Sequence, residues 1–149
     1  MLYLREFEIT EPDSNGLCAV IPFGLPGATQ GEGFDEAMEM AADWLYHTIQ
    51  DDLIRGEDIP EAHFGNEPEN GGKIVTIAVD VDLSRSDAVT AADAARILGV
   101  STARVAQMCA NGQLSSWRDG TKRMVLRDSV NARLAENPKA GRPKQKTTA

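Results

Sequence analysis

The sequence predicts an α+β protein built from two modules, and three observations support this fold class. Hydrophobic residues in the first half alternate in several short runs and recur at helical spacing in one long run. Clusters of Gly, Pro, Asn and Asp separate these runs. The charge is also divided: residues 1–87 contain 4 Lys or Arg against 19 Asp or Glu, a net charge of −15, and residues 88–149 contain 11 against 4, a net charge of +7. This division indicates two modules with different partners.

The acidic half is predicted to form a small sheet covered by one helix, in the order β-β-β-α-β. Turn signals at residues 13–16 and 24–27 separate its first three strands, and the polar residues 58–72 are typical of a loop. Apolar residues at helical spacing indicate a helix that stops before Gly56. Apolar and polar residues alternate along the last strand, so one of its faces should be exposed to solvent. The expected strands span residues 2–10, 17–23, 28–32 and 73–83, and the expected helix spans residues 34–55.

The basic half is predicted to contain two short helices joined by a sharp turn. Thr90 is a suitable N-cap with Asp93 three residues later, and Gly99 ends this first helix. Ser101 caps a second helix that runs to about residue 110. Small alanines let the two helices approach closely. Their buried face is expected to hold Ala91, Ala94, Ala95, Leu98, Val100, Val105, Met108 and Leu114.

A hairpin and a last helix should follow this pair. Asp119-Gly120 is expected to form the two-residue turn of the hairpin, and Asp128 or Ser129 should cap the last helix. The predicted domains are residues 1–83 for the acidic domain, 84–88 for a linker, 89–136 for the helix-turn-helix domain and 137–149 for a basic flexible tail.

The pattern of the basic half is typical of DNA recognition, because the second helix of a helix-turn-helix enters the major groove. Arginine pairs with guanine there and glutamine with adenine, while the start of the helix can approach a phosphate. Cations around the hairpin suit phosphates or a minor groove. The expected DNA-binding residues are Ser101, Thr102, Ala103, Arg104, Gln107, Arg118, Lys122 and Arg123.

This region also resembles a known group. Thr90, Ala94-Ala95, Leu98-Gly99-Val100-Ser101, Gly112 and Gly120 match the winged helix-turn-helix domains of the excisionase and MerR-like group. The alternative is a small helical domain for protein contacts that carries incidental positive charge. In the tail, Gly141-Arg142-Pro143 resembles an AT-hook core, although a solubilising tail explains it equally well.

The helix of the acidic half carries a row of carboxylates. Asp35, Glu39 and Asp43 share one helical face, with Glu36 beside them. Three interpretations compete for this row: a solvated face, metal-dependent chemistry and a docking surface for a basic protein. Metal chemistry is disfavoured, because no carboxylates cluster at several strand ends and His47 and His63 stand apart without partners.

A second resemblance favours the docking surface. Residues 16–61 resemble the HicB antitoxin family through Leu25-Pro26-Gly27, Thr29-Gln30-Gly31, Phe34-Asp35-Glu36-Ala37 and Asp58-Ile59-Pro60-Glu61. The sequence departs from that family in having Phe23-Gly24 before the Leu-Pro-Gly turn and Ala28 where cysteine is frequent. The resemblance implies an incomplete RNase H-like fold without its catalytic carboxylates. It also implies binding to a HicA toxin, a small basic ribonuclease. The expected toxin-binding residues are Phe23, Leu25, Asp35, Glu36, Glu39 and Asp43.

These features together predict a non-enzymatic antitoxin that neutralises an mRNA-cleaving toxin and represses its own operon as a dimer or higher oligomer. The alternative is a helix-turn-helix regulator whose first domain senses a ligand or docks another regulator. An RNase H-like enzyme is disfavoured, because the acids lie mainly along one helix and in loops. No cofactor, metal or membrane partner is expected. Cys18 and Cys109 are expected to be free thiols, which suits a cytoplasmic location.

Overall fold

The computed structural model describes residues 1–136, which form two compact units. The first unit is Met1–Arg85, and the second begins at Ser86. The α+β class is confirmed. The predicted tail at residues 137–149, including Gly141-Arg142-Pro143, lies outside the described residues.

The first unit is an antiparallel sheet in the order β3-β2-β1-β4 with one helix packed on it. The chain order is β-β-β-α-β, as predicted. The elements are β1 Leu2–Ile9, β2 Leu17–Pro22, β3 Thr29–Glu32, α1 Gly33–Arg55 and β4 Lys73–Asp80. The core lies between the sheet and α1 and contains Phe7, Ile9, Cys18, Val20, Leu25, Ala37, Ala41, Leu45, Ile49, Ile77, Val79 and Val81. No helix among the described residues is long and apolar enough to cross a membrane.

Gly31, at the junction of β3 and α1, lies very close to the backbone of the helix. A Cβ atom on Gly31 would lie 2.6 Å from the backbone nitrogen of Ala37, so only glycine lets α1 start directly on the sheet. The side chain of the N-cap residue, Glu32, makes no capping hydrogen bond to α1. Instead, the carboxylate of Glu36 accepts a hydrogen bond from the backbone N–H of Glu32. An acid at this end of a helix also interacts favourably with the helix dipole.

The last strand of the first unit is shorter than predicted, because β4 ends at Asp80 rather than at residue 83. Leu2 of β1 pairs with Asp80, so the β1 ladder ends there. The Asp82 carboxylate then accepts hydrogen bonds from the Ser84 N–H at 2.9 Å and its hydroxyl at 2.7 Å. These bonds fix a short 3-10 turn at Leu83–Arg85. Ala88 is already the first residue of the next strand.

The second unit contains a three-stranded antiparallel sheet in the order β5-β7-β6 and three helices. Its elements are β5 Ala88–Thr90, α2 Ala91–Leu98, α3 Thr102–Ala110, β6 Ser116–Asp119, β7 Lys122–Leu126 and α4 Arg127–Ala135. Its core contains Val89, Ala94, Ala95, Val105, Met108, Leu114, Val125 and Val130. Strand β5, which pairs with β7 through Val89 and Val125, was not predicted.

Three further details of the second unit correct the prediction. Asp119 pairs with Lys122, so the hairpin turn is Gly120-Thr121, one residue later than expected. This places Gly120, with φ +62°, in the first central position, where the tight turns of two-residue hairpins need a positive φ. Val100 is 37% exposed rather than buried, because it lies in the turn after Gly99. The last helix is present, but no side chain caps its start.

The outer face of β1 is covered by residues 57–72, which we call the strap. Glu6 and Glu8 point away from the α1 side and are only 6% and 1% exposed. Glu8 accepts backbone hydrogen bonds from Glu69 at 2.8 Å and from Asn70 and Gly72 at 2.9 Å. Glu6 likewise accepts backbone hydrogen bonds from strap residues 65 and 66, at 2.6 and 3.1 Å respectively. Two buried carboxylates therefore hold a segment that has no regular secondary structure.

The strap should make the first unit sensitive to acid. The N–H of Gly65 holds the pKa of Glu6 below its ordinary value of 4.5. Burial raises the pKa of Glu8, but the N–H groups of Gly72, Glu69 and Asn70 outweigh burial and leave it below 4.5 as well. A carboxylate with a lowered folded-state pKa stabilises the fold above the unfolded-state value, and this contribution is lost as the pH falls through the folded-state pKa.

We therefore expect the free energy of unfolding of the first unit to be steady above about pH 5 and to fall at lower pH. Urea unfolding followed by circular dichroism at a series of pH values measures this. Glu8→Gln, which cannot titrate, should flatten the pH dependence. An unfolding midpoint that does not change below pH 4.5 would show that these hydrogen bonds do not stabilise the carboxylates.

Candidate functional site

Each of the two helices that form the predicted DNA-reading element is capped at its start by a side chain. The Thr90 hydroxyl accepts a hydrogen bond from the Asp93 N–H at 3.2 Å, and the Ser101 hydroxyl accepts one from the Arg104 N–H at 3.1 Å. Between them, Gly99 adopts φ +68°, a left-handed conformation that favours glycine. Both predicted caps and the predicted stop are thus confirmed. The caps fix the direction in which α3 leaves the turn.

The residues predicted to read bases lie on the exposed side of α3. Ala94, Val105 and Met108 hold the other side in the core at no more than 3% exposure. The Arg104 guanidinium donates a hydrogen bond to the side-chain oxygen of Gln107 at 3.2 Å. This contact uses one of the five N–H donors of the arginine, so the others remain available to a base edge or a phosphate. All five residues predicted to contact DNA in this element are exposed: Ser101, Thr102, Ala103, Arg104 and Gln107.

The hairpin of β6 and β7 adds three cations. Arg118 is directly opposite Arg123 in the ladder, and Lys122 follows the turn. Arg118 and Lys122 are exposed, whereas Arg123 is half-buried and donates to the Ser116 hydroxyl at 3.2 Å. Two like charges directly opposite each other on neighbouring strands repel. An anion between them would remove that repulsion.

The ion pairs of the second unit separate its cations into two groups. Arg96, Arg127 and Arg133 each pair with a carboxylate of this unit, Arg127 with Asp87 at 2.9 Å and Arg133 with Glu136 at 2.9 Å. Among the described residues of the second unit, the cations without an ion pair are those predicted to contact DNA: Arg104, Arg118, Lys122 and Arg123. The unit thus leaves its positive charge unneutralised on α3 and the hairpin.

The acidic face of α1 is exposed, as a docking surface requires. Asp35, Glu36, Glu39 and Asp43 are all exposed. Asp43 lies 3.4 Å from Nε2 of His47, and Glu36 is engaged at the helix start. Carboxylates in this row outnumber nearby cations, so a positively charged partner would meet little competition.

Two residues predicted to bind the toxin do not belong to this face. Leu25 is only 8% exposed and packs in the core of the first unit. Phe23 is half-buried just after β2, and its N–H donates to the carbonyl of Glu6 at 3.0 Å. The sequence analysis also missed Glu6 and Glu8, because their partners lie 59 to 64 residues later in the chain.

The described residues contain no group of three or more His, Cys, Asp or Glu side chains that could hold a metal ion. Cys18 is buried and Cys109 is half-buried, and both are free thiols.

Comparisons with known proteins identify the second unit. A family model described as a helix-turn-helix domain matches residues 88–138, so this part of the chain is a helix-turn-helix domain. No curated protein matches the chain. A solved chain from a toxin–antitoxin complex of Streptococcus pneumoniae is similar over 76% of this chain and 99% of its own length, with 18% sequence identity and a TM-score of 0.49. That degree of similarity is too low to support a conclusion about fold or function.

Proposed function

We propose that this chain is an antitoxin and autorepressor. Its helix-turn-helix domain binds operator DNA, and its acidic first unit binds and neutralises a small basic mRNA-cleaving toxin of the HicA type. The observation that carries this proposal is the division of charge. Within residues 86–136, the cations of the second unit without an ion pair lie on α3 and the hairpin, while the first unit exposes carboxylates along α1.

The DNA-binding half of the proposal is supported by the position of each unpaired cation. Arg104 projects from the helix that enters the major groove in this motif, and arginine there pairs with guanine through two hydrogen bonds. Arg118 and Lys122 on the hairpin suit the neighbouring phosphates. Since the first unit would be repelled by the duplex, only the second unit is expected to approach it.

The toxin-binding half is supported by charge and by the resemblance to HicB. A ribonuclease must present positive charge to grip RNA, and a surface rich in carboxylates can occupy the same site. Opposite charges of this size also speed the encounter of two proteins. The resemblance further implies an RNase H-like arrangement of the first unit. We propose no chemical reaction for either unit.

A single helix-turn-helix contacts one short DNA half-site. We therefore propose that the chain binds as a dimer to a palindromic operator with half-sites about 34 Å apart, or a multiple of that distance. Analytical ultracentrifugation of the full chain on such a duplex gives the number of copies bound. One copy per operator would contradict the dimer.

Replacing Arg104 by alanine is expected to weaken binding to the preferred duplex by about 1–3 kcal/mol and to relax base preference. The cap at Ser101 binds the backbone of residue 104, so α3 should remain intact. Fluorescence anisotropy on the preferred duplex and on a shuffled duplex measures both effects. Lys122→Ala is the matched control and should lower the slope of log K against log salt by about one unit on either duplex. Equal weakening by Arg104→Ala on both duplexes would show a phosphate contact only.

The toxin partner is tested by co-expressing the full chain with the reading frame next to its gene and isolating the complex through a tag on the chain. We expect a small basic protein to co-purify and to associate more slowly as salt rises from about 50 to about 200 mM. An association rate that does not change with salt would contradict charge steering. If no protein co-purifies, the antitoxin role is wrong and the alternative regulator becomes the better explanation.

A further inference from the structure

A cleft of about 390 Å³ lies in the first unit beside the C-terminal half of α1. The turn after β2 contributes Leu25 and Pro26, α1 contributes Trp44 and Asp51, and the start of the strap contributes Pro60. This volume falls within the range of about 300–1,000 Å³ that is typical of ligand sites. The cleft lies beyond the α1 residues that the sequence analysis predicted to bind the toxin.

The aromatic side of the cleft is held in a fixed orientation. The Trp44 ring packs edge-to-face against Phe7, with ring centroids 5.9 Å apart and an interplanar angle of 90°. On its other side it closely approaches Gly27, where a Cβ atom would lie 2.9 Å from Cζ2 of the indole. The indole is only half-buried, so part of it faces the cleft. A fixed, accessible indole is the best aromatic surface for a cation.

The charge of the cleft is negative after its internal ion pairs are counted. Arg55 pairs with Asp52 at 2.9 Å and with Glu57 at 3.5 Å. Asp51 and Asp58 also line the cleft, are exposed and form no ion pair within the described part of the chain. Arg5 lies behind the cleft, donating to the carbonyl of Pro60. These four carboxylates against two arginines leave an excess of two negative charges.

We propose that this cleft binds an arginine or lysine side chain of the basic protein partner. The cation would pack against Trp44, and Asp51 and Asp58 would accept its hydrogen bonds. Arginine fits best, because its planar guanidinium stacks on an aromatic ring while its N–H groups pair with carboxylates. The identity of the occupant as a protein side chain rests on the proposed function. The excess negative charge of the cleft does not depend on the proposed function.

The two tryptophans of the chain make a direct test practical. In the full chain with Trp117→Phe, Trp44 is the only tryptophan, so tryptophan emission reports on the cleft alone. Titration with N-acetyl-L-arginine amide should give a saturable change in Trp44 emission, and the uncharged N-acetyl-L-citrulline amide should give none. Asp51→Asn combined with Asp58→Asn should weaken arginine amide binding at least about fivefold, as expected for the loss of two charged hydrogen-bond acceptors.

The matched control removes the same charge elsewhere in the first unit. Glu11→Gln combined with Glu67→Gln changes two exposed carboxylates outside the cleft and should leave arginine amide binding unchanged. Circular dichroism checks that each variant is folded. If Trp117→Phe unfolds the chain, the indole N–H resonance of Trp44 in the wild-type chain reports the same titration. No saturable response, or an equal loss in both double variants, would overturn the proposal.

The same variants separate this proposal from the proposed function. If the co-purified basic protein binds the Asp51→Asn, Asp58→Asn chain as tightly as it binds the wild type, the cleft proposal is wrong and the antitoxin role stands. If arginine amide binds with the expected selectivity but no basic protein co-purifies, the cleft is a cation site, and both the antitoxin role and the partner side chain as its occupant are wrong.

Discussion

Replacing Val105 by aspartate is expected to unfold the second unit and abolish DNA binding while the first unit stays folded. Val105 is fully buried between α3 and the rest of the core of this unit. A carboxylate there has no partner, so it costs about 4 kcal/mol or more. A unit with so small a core has little stability in reserve. Proton NMR of the full chain should show the loss of methyl resonances from the second unit only.

Ala106→Asp is the matched control for this change. It places the same charge on the neighbouring residue, which is exposed. The second unit should therefore stay folded in this variant, even if the added negative charge weakens its affinity for DNA. Loss of both units in Val105→Asp would contradict their independent folding. A fully folded Val105→Asp chain would contradict the packing of α3.

Replacing Glu8 by alanine is expected to lower the free energy of unfolding of the first unit by about 2–3 kcal/mol. The carboxylate accepts hydrogen bonds from the backbone of Glu69, Asn70 and Gly72, and alanine leaves these donors without their partner. Residues 69–72 of the strap should then leave the sheet, while Glu6 still holds residues 65 and 66. Urea unfolding gives the free energy, and amide hydrogen exchange should show faster exchange at residues 69–72.

Glu11→Ala provides the comparison for Glu8→Ala, since Glu11 is exposed and follows β1. Its effect should stay within about 0.5 kcal/mol. Glu8→Gln keeps one acceptor oxygen and should fall between the two. If Glu8→Ala destabilises no more than Glu11→Ala, the buried carboxylate does not hold the strap.

Local signals in the sequence were sufficient to predict most elements. The caps at Thr90 and Ser101, the stop at Gly99 and the periodicity of α1 all act within a few residues, and each is present in the structure. The predicted strands of the first unit also match the observed strands to within one residue at every end except the C-terminal end of β4. These features follow from propensity and pattern alone.

Features that depend on distant parts of the chain were not predictable in this way. Glu6 and Glu8 resemble the ordinary wet face of an alternating strand, and only the folded chain brings the strap to them. Strand β5 is too short to show a pattern, and it exists because Val89 pairs with Val125 of β7. Pairing over such distances is decided by the whole fold.

The candidate sites show the same contrast. Cationic side chains on α3 and the hairpin were recognisable from the motif, and the structure adds that they lack ion pairs. The burial of Leu25 was not predictable, because a Leu-Pro-Gly turn is typical of an exposed loop and its burial depends on the core beneath it. The cleft at Trp44 joins three segments separated in the chain, so no local motif reveals it.

Biolayer interferometry with the full chain immobilised is the most direct test of whether DNA binding and toxin binding belong to separate units. The duplex upstream of its gene and the co-purified basic protein are applied separately. We expect Val105→Asp to abolish binding of the duplex only, and Asp51→Asn with Asp58→Asn to weaken binding of the basic protein only. If either variant weakens both interactions equally, the two functions are not assigned to separate units and the proposed function is contradicted.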